Sequence, residues 1–287
     1  MAICQGFDEP VKILQYRAVR ALIIHGGFTE RELPGEKLDG MRRGLLDCVR
    51  HSWGFLASHS ALETVVEAVR WLEDDPCFNA GTGSKLQADG RVRMSAALMD
   101  GSSRLFSGVV NVERVQNPIL LAQRLQGETF TVLAGEGATG WAREQGFPDY
   151  EPVATVRPPD KSGTVGACAL DDQGRLAAAT STGGRGQETV GRVSDSATVA
   201  GNYADSEGAV SCTGLGEEIV HEALAARLVC GGLERCFEQV FADCRQRDRH
   251  FGAIGLDRRG RPYRGECQGR LFWALIEDGE ARVFSTA

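Results

Sequence analysis

The 287-residue sequence has no uninterrupted apolar run approaching the ~20 residues of a membrane span. Its first residues, 1–11, include Asp8, Glu9 and Pro10 and lack the apolar core of a signal peptide. There is no low-complexity tract and no solenoid repeat, which excludes disordered and repeat architectures. No basic excess exists either. Lys and Arg total 32 against 39 Asp and Glu, a net charge of −7, so the electrostatic footprint of a nucleic-acid binder is missing. Nine cysteines are present without a Cys-x-x-Cys pair. An odd, irregularly spaced set predicts buried thiols in a reducing cytoplasm, not a disulfide framework. The Gly-x-Ser-x-Gly nucleophile elbow is also absent, and the five histidines lie in no recognisable nucleophile motif.

Glycine, by contrast, is abundant: 36 residues, close to twice the usual ~7%. No collagen period explains it, so many tight turns and backbone-lined sites are expected. Residues 20–24 predict a short buried strand ending at His25-Gly26-Gly27, and residues 40–58 a helix. Ser60 with Glu63 forms a capping-box pattern, and Leu62, Val65, Val66, Val69 and Leu72 follow at helical spacing up to Pro76. Asn117-Pro118 predicts the start of a third helix through Leu125. Further helices are predicted over 217–229 and 233–246. Turn signals at Asp89-Gly90, 171–174, 257–260 and Asp278-Gly279 separate strand-like runs. Hairpins with clustered helices imply an α+β fold and not a parallel βαβ sheet. The Gly135 to Gly140 run fits Gly-x-Gly-x-x-Gly, but a Pro-rich segment stands where a dinucleotide site needs its next strand, so a helix start is expected. Glu218 and His221 form a single Glu-x-x-His, read as a solvated helix face. Cys230, Cys236 and Cys244 lack zinc spacing and are expected in the core.

One junction stands apart. Residues 149–163 are Pro-rich and polar, an exposed linker, and a strand headed by Thr164 follows at once. A threonine hydroxyl is a weak nucleophile and needs a base. A free α-amino group, with a pKa of ~7.7–8, suits that task better than a lysine at ~10.4. Cleavage before Thr164 would place hydroxyl and amine on one residue, and Gly163 permits backbone conformations that expose the junction to attack. Taken alone, Gly163-Thr164 reads as an ordinary linker-to-strand junction.

The surrounding motifs change that reading. Ala179-Thr180-Ser181-Thr182-Gly183-Gly184, then Gly191-Arg192-Val193-Ser194-Asp195-Ser196, then Val210-Ser211-Cys212-Thr213-Gly214-Leu215-Gly216-Glu217 follow in order. Upstream stand His25-Gly26-Gly27, the 72–81 segment with Phe78-Asn79-Ala80-Gly81, and Leu98-Met99-Asp100-Gly101. From about Ala21 onward the sequence resembles the plant-type asparaginase and isoaspartyl peptidase family of the N-terminal-nucleophile hydrolases. The resemblance implies a four-layer αββα sandwich, a single domain autocleaved between Gly163 and Thr164 into an α subunit 1–163 and a β subunit 164–287, and a dimer of such αβ units. It implies hydrolysis of L-asparagine and β-aspartyl dipeptides, small-molecule substrates, with no nucleic acid or membrane partner and no catalytic cofactor. Thr164 aligns with the nucleophile and Thr182 with the threonine that orients it. Thr213 and Gly214 align with the oxyanion hole, and Asn79 with its supporting shell. Arg192 aligns with the grip on the substrate α-carboxylate, Asp195 with the partner of its α-ammonium, and Gly216 lends backbone to the same pocket. Backbone carbonyls of Leu72, Glu73, Asp75, Phe78, Ala80 and Thr82 correspond to a sodium-binding loop. Ser95 and Phe28 depart from the family, which usually has Asp and a small residue there. A glycosylasparaginase-like enzyme is the alternative, although its usual Gly-Asn-Gly-Asp is Gly214-Leu215-Gly216-Glu217 here. An unprocessed, non-catalytic binding module on the same fold is the alternative from another class.

Overall fold

A computed structural model describes residues 20–152 and 163–285. Most of the Pro-rich linker, and the segment assessed for a signal peptide, lie outside the described residues. Two sheets organise the chain. The larger has β12 (Glu280–Val283), β11 (Arg270–Glu277), β1 (Ala21–Thr29), β5 (Thr164–Leu170), β6 (Leu176–Thr182), β2 (Met94–Asp100), β3 (Leu105–Val112) and β4 (Val132–Ala134) in that order. The smaller runs β10 (Pro262–Cys267), β9 (Phe251–Asp257), β8 (Gly208–Gly214), β7 (Asn202–Ala204). Pairing is antiparallel throughout except between β3 and β4.

The strands at the centre of the large sheet are made almost wholly of small and apolar residues, and every residue of β5 and β6 is buried. A strand covered on both faces loses the alternation of a half-solvated one. Parity still separates the faces. Val165, Ala167, Ala169, Ala177 and Ala179 join a core with helices α1 (Gly35–Phe55), α2 (Ala61–Asp74) and α3 (Pro118–Leu125). Cys168, Leu170, Leu176 and Ala178 join a second core with Ala209 of β8 and Ile254 and Leu256 of β9. A third core packs Val210, Cys212 and Ala253 against helices α5 (Gly216–Glu222), α6 (Leu224–Cys230) and α7 (Leu233–Gln246). Thr164, Thr180 and Thr182 share parity with the residues that meet β8, and Ser211 and Thr213 share parity with Ala209, so these hydroxyls gather between the sheets.

Several expectations hold. Ser60 and Glu63 form both bonds of a capping box at α2. Pro118 opens α3, although the Asn117 side chain reaches Asp74 Oδ1 at 2.9 Å and makes no cap. The Gly-x-Gly-x-x-Gly run begins helix α4 (Gly135–Glu144). Others need correction. The first strand runs through His25-Gly26-Gly27 to Thr29, because those residues pair with β11 around a register shift. The helix expected over 40–58 is Gly35–Phe55. The helix expected over 217–229 is two, broken at Ala223, whose φ is +46°. Asp89-Gly90 is a turn closed by one bridge, Leu86 to Val92, and not a hairpin of two strands. Cys230 is exposed, while Cys236 and Cys244 are buried. Of the Glu218–His221 face, His221 is exposed, whereas Glu218 is half-buried and accepts the His250 backbone N–H at 2.6 Å. Among the described residues no helix is long and apolar enough to cross a membrane.

Candidate active site

Register places the two key threonines opposite each other, since Thr164 at the start of β5 pairs with Thr182 at the end of β6. The Thr164 hydroxyl donates to Thr182 Oγ1 at 3.3 Å. Thr182 in turn donates to the Gly163 carbonyl at 3.0 Å and accepts the Gly184 N–H at 3.2 Å. Asn79 Nδ2 donates to the same Gly163 carbonyl at 2.7 Å and also to Gly184 O. Two donors thus converge on the carbonyl oxygen of the peptide bond that precedes Thr164. Gly163 itself has φ +129°, a conformation that favours glycine. A Cβ there would lie 2.3 Å from Asn79 Cβ, so the close approach of the asparagine also requires glycine.

Gly163, Thr164, Thr182, Gly184, Arg185, Arg192, Ser194, Asp195, Gly214 and Gly216 line one small cavity. Arg192 and Asp195, three residues apart, are not paired to each other. Glu217 takes Arg192 Nε and Nη2 at 2.7 and 2.9 Å, a bidentate clamp, and Glu188 Oε2 takes Nη1 at 2.8 Å. A guanidinium has five N–H groups, so two remain for another acceptor. The Arg192 bond is the main reason the Glu217 carboxyl sits below its usual pKa. Asp195 is buried and its Oδ2 has no partner. Desolvation pushes its pKa up to about 7, against the opposing charge of Arg192. Gly216 is a necessary gap: a Cβ there would lie 2.7 Å from Asp195 Oδ1 and 3.1 Å from Arg192 Nη2. The buried Thr213 hydroxyl also lacks a partner. Unpartnered buried polar atoms are costly, and Asp195, which lines the cavity with an unpartnered oxygen, is open to a ligand there.

Gly163, Thr164, Thr182, Arg192, Asp195, Gly214 and Gly216 therefore share one cavity, Asn79 joins it through the Gly163 carbonyl, and Thr213 is buried next to Gly214 without lining it. None of the described histidines bonds to the Thr164 hydroxyl. His25 lies on β1 beside β5, but its Nε2 bonds Ser211 Oγ at 2.9 Å, and burial pushes its pKa down to about 3, leaving it neutral. Ser211 continues to Thr180 Oγ1 at 2.6 Å, which donates to Asn202 Oδ1 at 2.9 Å, a buried network under the site.

Sequence reasoning missed Glu188, Glu217 and Glu73. Glu217 was visible only as a motif letter, and it meets Arg192 across 25 residues of chain. Glu73 was credited with its carbonyl alone, yet its buried carboxyl accepts Ser181 Oγ at 2.6 Å and the Ile119 N–H at 3.1 Å. Leu72 and Glu73 belong to α2, whereas Asp75, Phe78 and Ala80 follow it and Thr82 lies in the 3₁₀ turn Gly81–Gly83. Ser95 fits its new environment by accepting the Asn111 N–H at 3.1 Å, and Phe28 is fully buried.

A family model described as asparaginase matches residues 18–159 and 151–285. An isoaspartyl peptidase/L-asparaginase of Synechocystis sp. is 42% identical over 271 residues, covering 83% of this chain and 82% of its own. A protein of the same name from Rattus norvegicus is 40% identical over 228 residues, with 71% and 68% covered. A plant-type L-asparaginase of Pyrococcus abyssi is 38% identical over 237 residues, with 71% and 77% covered. With matches over nearly the whole described chain and a site assembled from the motifs those matches span, this protein belongs to the asparaginase family.

Proposed function

We propose that the chain cuts itself between Gly163 and Thr164 and that the new N-terminal threonine hydrolyses the side-chain amide of L-asparagine and the β-aspartyl bond of isoaspartyl dipeptides. The observation that carries this is the pair of donors, Asn79 Nδ2 and Thr182 Oγ1, on the Gly163 carbonyl. They polarise that bond and stabilise the negative oxygen formed when Thr164 Oγ1 attacks. In that step the hydroxyl oxygen bonds to the Gly163 carbonyl carbon, and its proton passes through Thr182 Oγ1 to the departing Thr164 nitrogen. The C–N bond then breaks to give an ester and a free amine, and water hydrolyses the ester to a Gly163 carboxylate.

In the mature enzyme the Thr164 α-amine takes the hydroxyl proton as Oγ1 attacks the substrate amide carbon. Thr213 and Gly214 receive the oxyanion. The amine leaves with a proton from Thr164, and water releases aspartate from the acyl-enzyme. The two open N–H groups of Arg192 take the α-carboxylate, and Asp195 takes the α-ammonium. We read the arrangement as the four-layer αββα sandwich of the N-terminal-nucleophile hydrolases, supported by the three cores, and the assembly as a cytoplasmic dimer of αβ units. The turn after α2 suits a sodium ion. Helix α2 ends without a basic residue in its last turn, and a Cβ at Gly81 or Gly83 would meet Glu73 O at 2.4 Å or Pro76 O at 2.8 Å, a carbonyl cradle for a hard cation.

A kinetic panel of asparagine, β-Asp-Leu, N-acetyl-asparagine and a glycosylated asparagine tests the reading. The first two should be turned over. N-acetyl-asparagine should be poor, because it leaves Asp195 buried opposite a neutral amide, at a cost of about 2–5 kcal/mol. Equal turnover of free and acetylated asparagine would remove the clamp assignment, and preference for the glycosylated substrate would favour a glycosylasparaginase.

A further inference from the structure

We infer that Arg185 is a specificity residue for the leaving group, and that it selects β-aspartyl peptides whose departing amino acid carries a free α-carboxylate. The inference rests on the hydrolase reading above and concerns the part of the cavity which that reading leaves unassigned.

Two arginines, Arg192 and Arg185, are among the residues that line the cavity. Arg192 is committed to Glu188 and Glu217 and is the assigned grip for the aspartyl head. Arg185 is held differently. Its backbone N–H donates at 3.1 Å to Glu188 Oε2, the same oxygen that takes Arg192 Nη1. One buried carboxylate therefore fixes the main chain of one arginine and the side chain of the other. The Arg185 side chain is half-buried, and among the described residues its guanidinium has no hydrogen bond or ion pair. Its charge still reaches the site, since it adds to the larger effect of Arg192 in holding down the Glu217 carboxyl.

Position then decides what Arg185 meets. With the acyl carbon above Thr164 Oγ1, the α-carboxylate and α-ammonium point to Arg192 and Asp195, and the carbonyl oxygen points to Thr213 and Gly214. Of the remaining lining, Thr182 and Gly163 flank Thr164, Ser194 and Gly216 flank the Arg192–Asp195 clamp, and Gly184 with Arg185 is left. The scissile nitrogen is left to face that side. From asparagine it departs as ammonia, which offers an arginine nothing. From an isoaspartyl dipeptide it belongs to an amino acid whose carboxylate lies two bonds away, the length and charge that a guanidinium accepts in a fork.

The test compares kcat/KM for β-Asp-Leu and for its C-terminal amide in the wild type, Arg185→Met and Arg185→Lys, with asparagine as the reference for hydrolase competence. The wild type should prefer the free acid by about ten- to a hundredfold, the worth of a hydrogen bond to a charged group. In Arg185→Met that ratio should fall close to one, and Arg185→Lys should keep part of it. A wild-type ratio near one, or an unchanged ratio in Arg185→Met, would overturn the inference. Should Arg185→Met fail to mature, the wild type and Arg185→Lys still decide through the same ratio. Wild-type turnover of asparagine without acid preference would sink only the role of Arg185. Turnover of none of the three would sink the hydrolase reading with it.

Discussion

Asp195 is a buried carboxyl whose pKa is pushed up to about 7, and two consequences follow at the scale of that residue. Binding of an α-ammonium needs its ionised form, so KM for asparagine should fall as pH rises through about 7. Stability runs the other way. The folded pKa lies above the ~3.9 of an unfolded Asp, so the folded state holds a proton the unfolded state has lost, and stability falls as pH rises from about 4 to about 7. Asp195→Asn should therefore lose asparagine binding yet melt higher than the wild type at pH 8, measured by calorimetry. A lower melting temperature at pH 8 would contradict the desolvation account. Thr182→Ala removes one of two donors from the Gly163 carbonyl and should slow self-cleavage by about 100- to 1,000-fold, followed by gel analysis over time. At this scale the sequence motifs singled out Thr164, Thr182, Arg192 and Asp195, which the fold brings to one cavity. They did not reveal that Arg192 is pinned by Glu188 and Glu217, because such pairing is set by how the loop after β6 folds against α5 and leaves no periodic trace.

Among the elements, α2 was the most legible, because a capping box and apolar spacing are both local signals. Ser60→Ala removes the acceptor of the Glu63 N–H and should cost about 1 kcal/mol, seen as a lowered melting temperature with maturation intact. The central strands were less legible. In β5 and β6 both faces are buried, and alanines and hydroxyls alternate with little contrast in hydropathy. Their roles separate only once the partners are known: odd positions meet the helices, as Ser181 meets Glu73, and even positions carry Thr164, Thr180 and Thr182 towards β8. The break at Ala223 was invisible for another reason. Alanine is a strong helix former, and only the docking of its neighbours onto Val199 and Ala200, through the Ala225 and Ala226 N–H groups, imposes a left-handed residue there.

Across the whole molecule, two sheets place hydroxyls from β5, β6 and β8 in one buried seam, and the peptide bond before Thr164 ends in that seam with its carbonyl doubly bonded. Buried acids set the pH response. Glu73, like Asp195, is desolvated, with its pKa pushed up to about 8, so its stabilising contribution is full below the unfolded carboxyl range and is lost as pH rises through about 8. The central claim is that this seam cuts the chain and makes Thr164 the catalytic N-terminus. Intact mass spectrometry with N-terminal sequencing of the purified protein, alongside Thr164→Ala, measures it most directly. The account predicts that the 30.9 kDa wild-type chain gives way to two fragments, the smaller beginning Thr-Val-Gly, while Thr164→Ala stays whole and inactive. A wild-type chain that remains intact and still hydrolyses asparagine would contradict it.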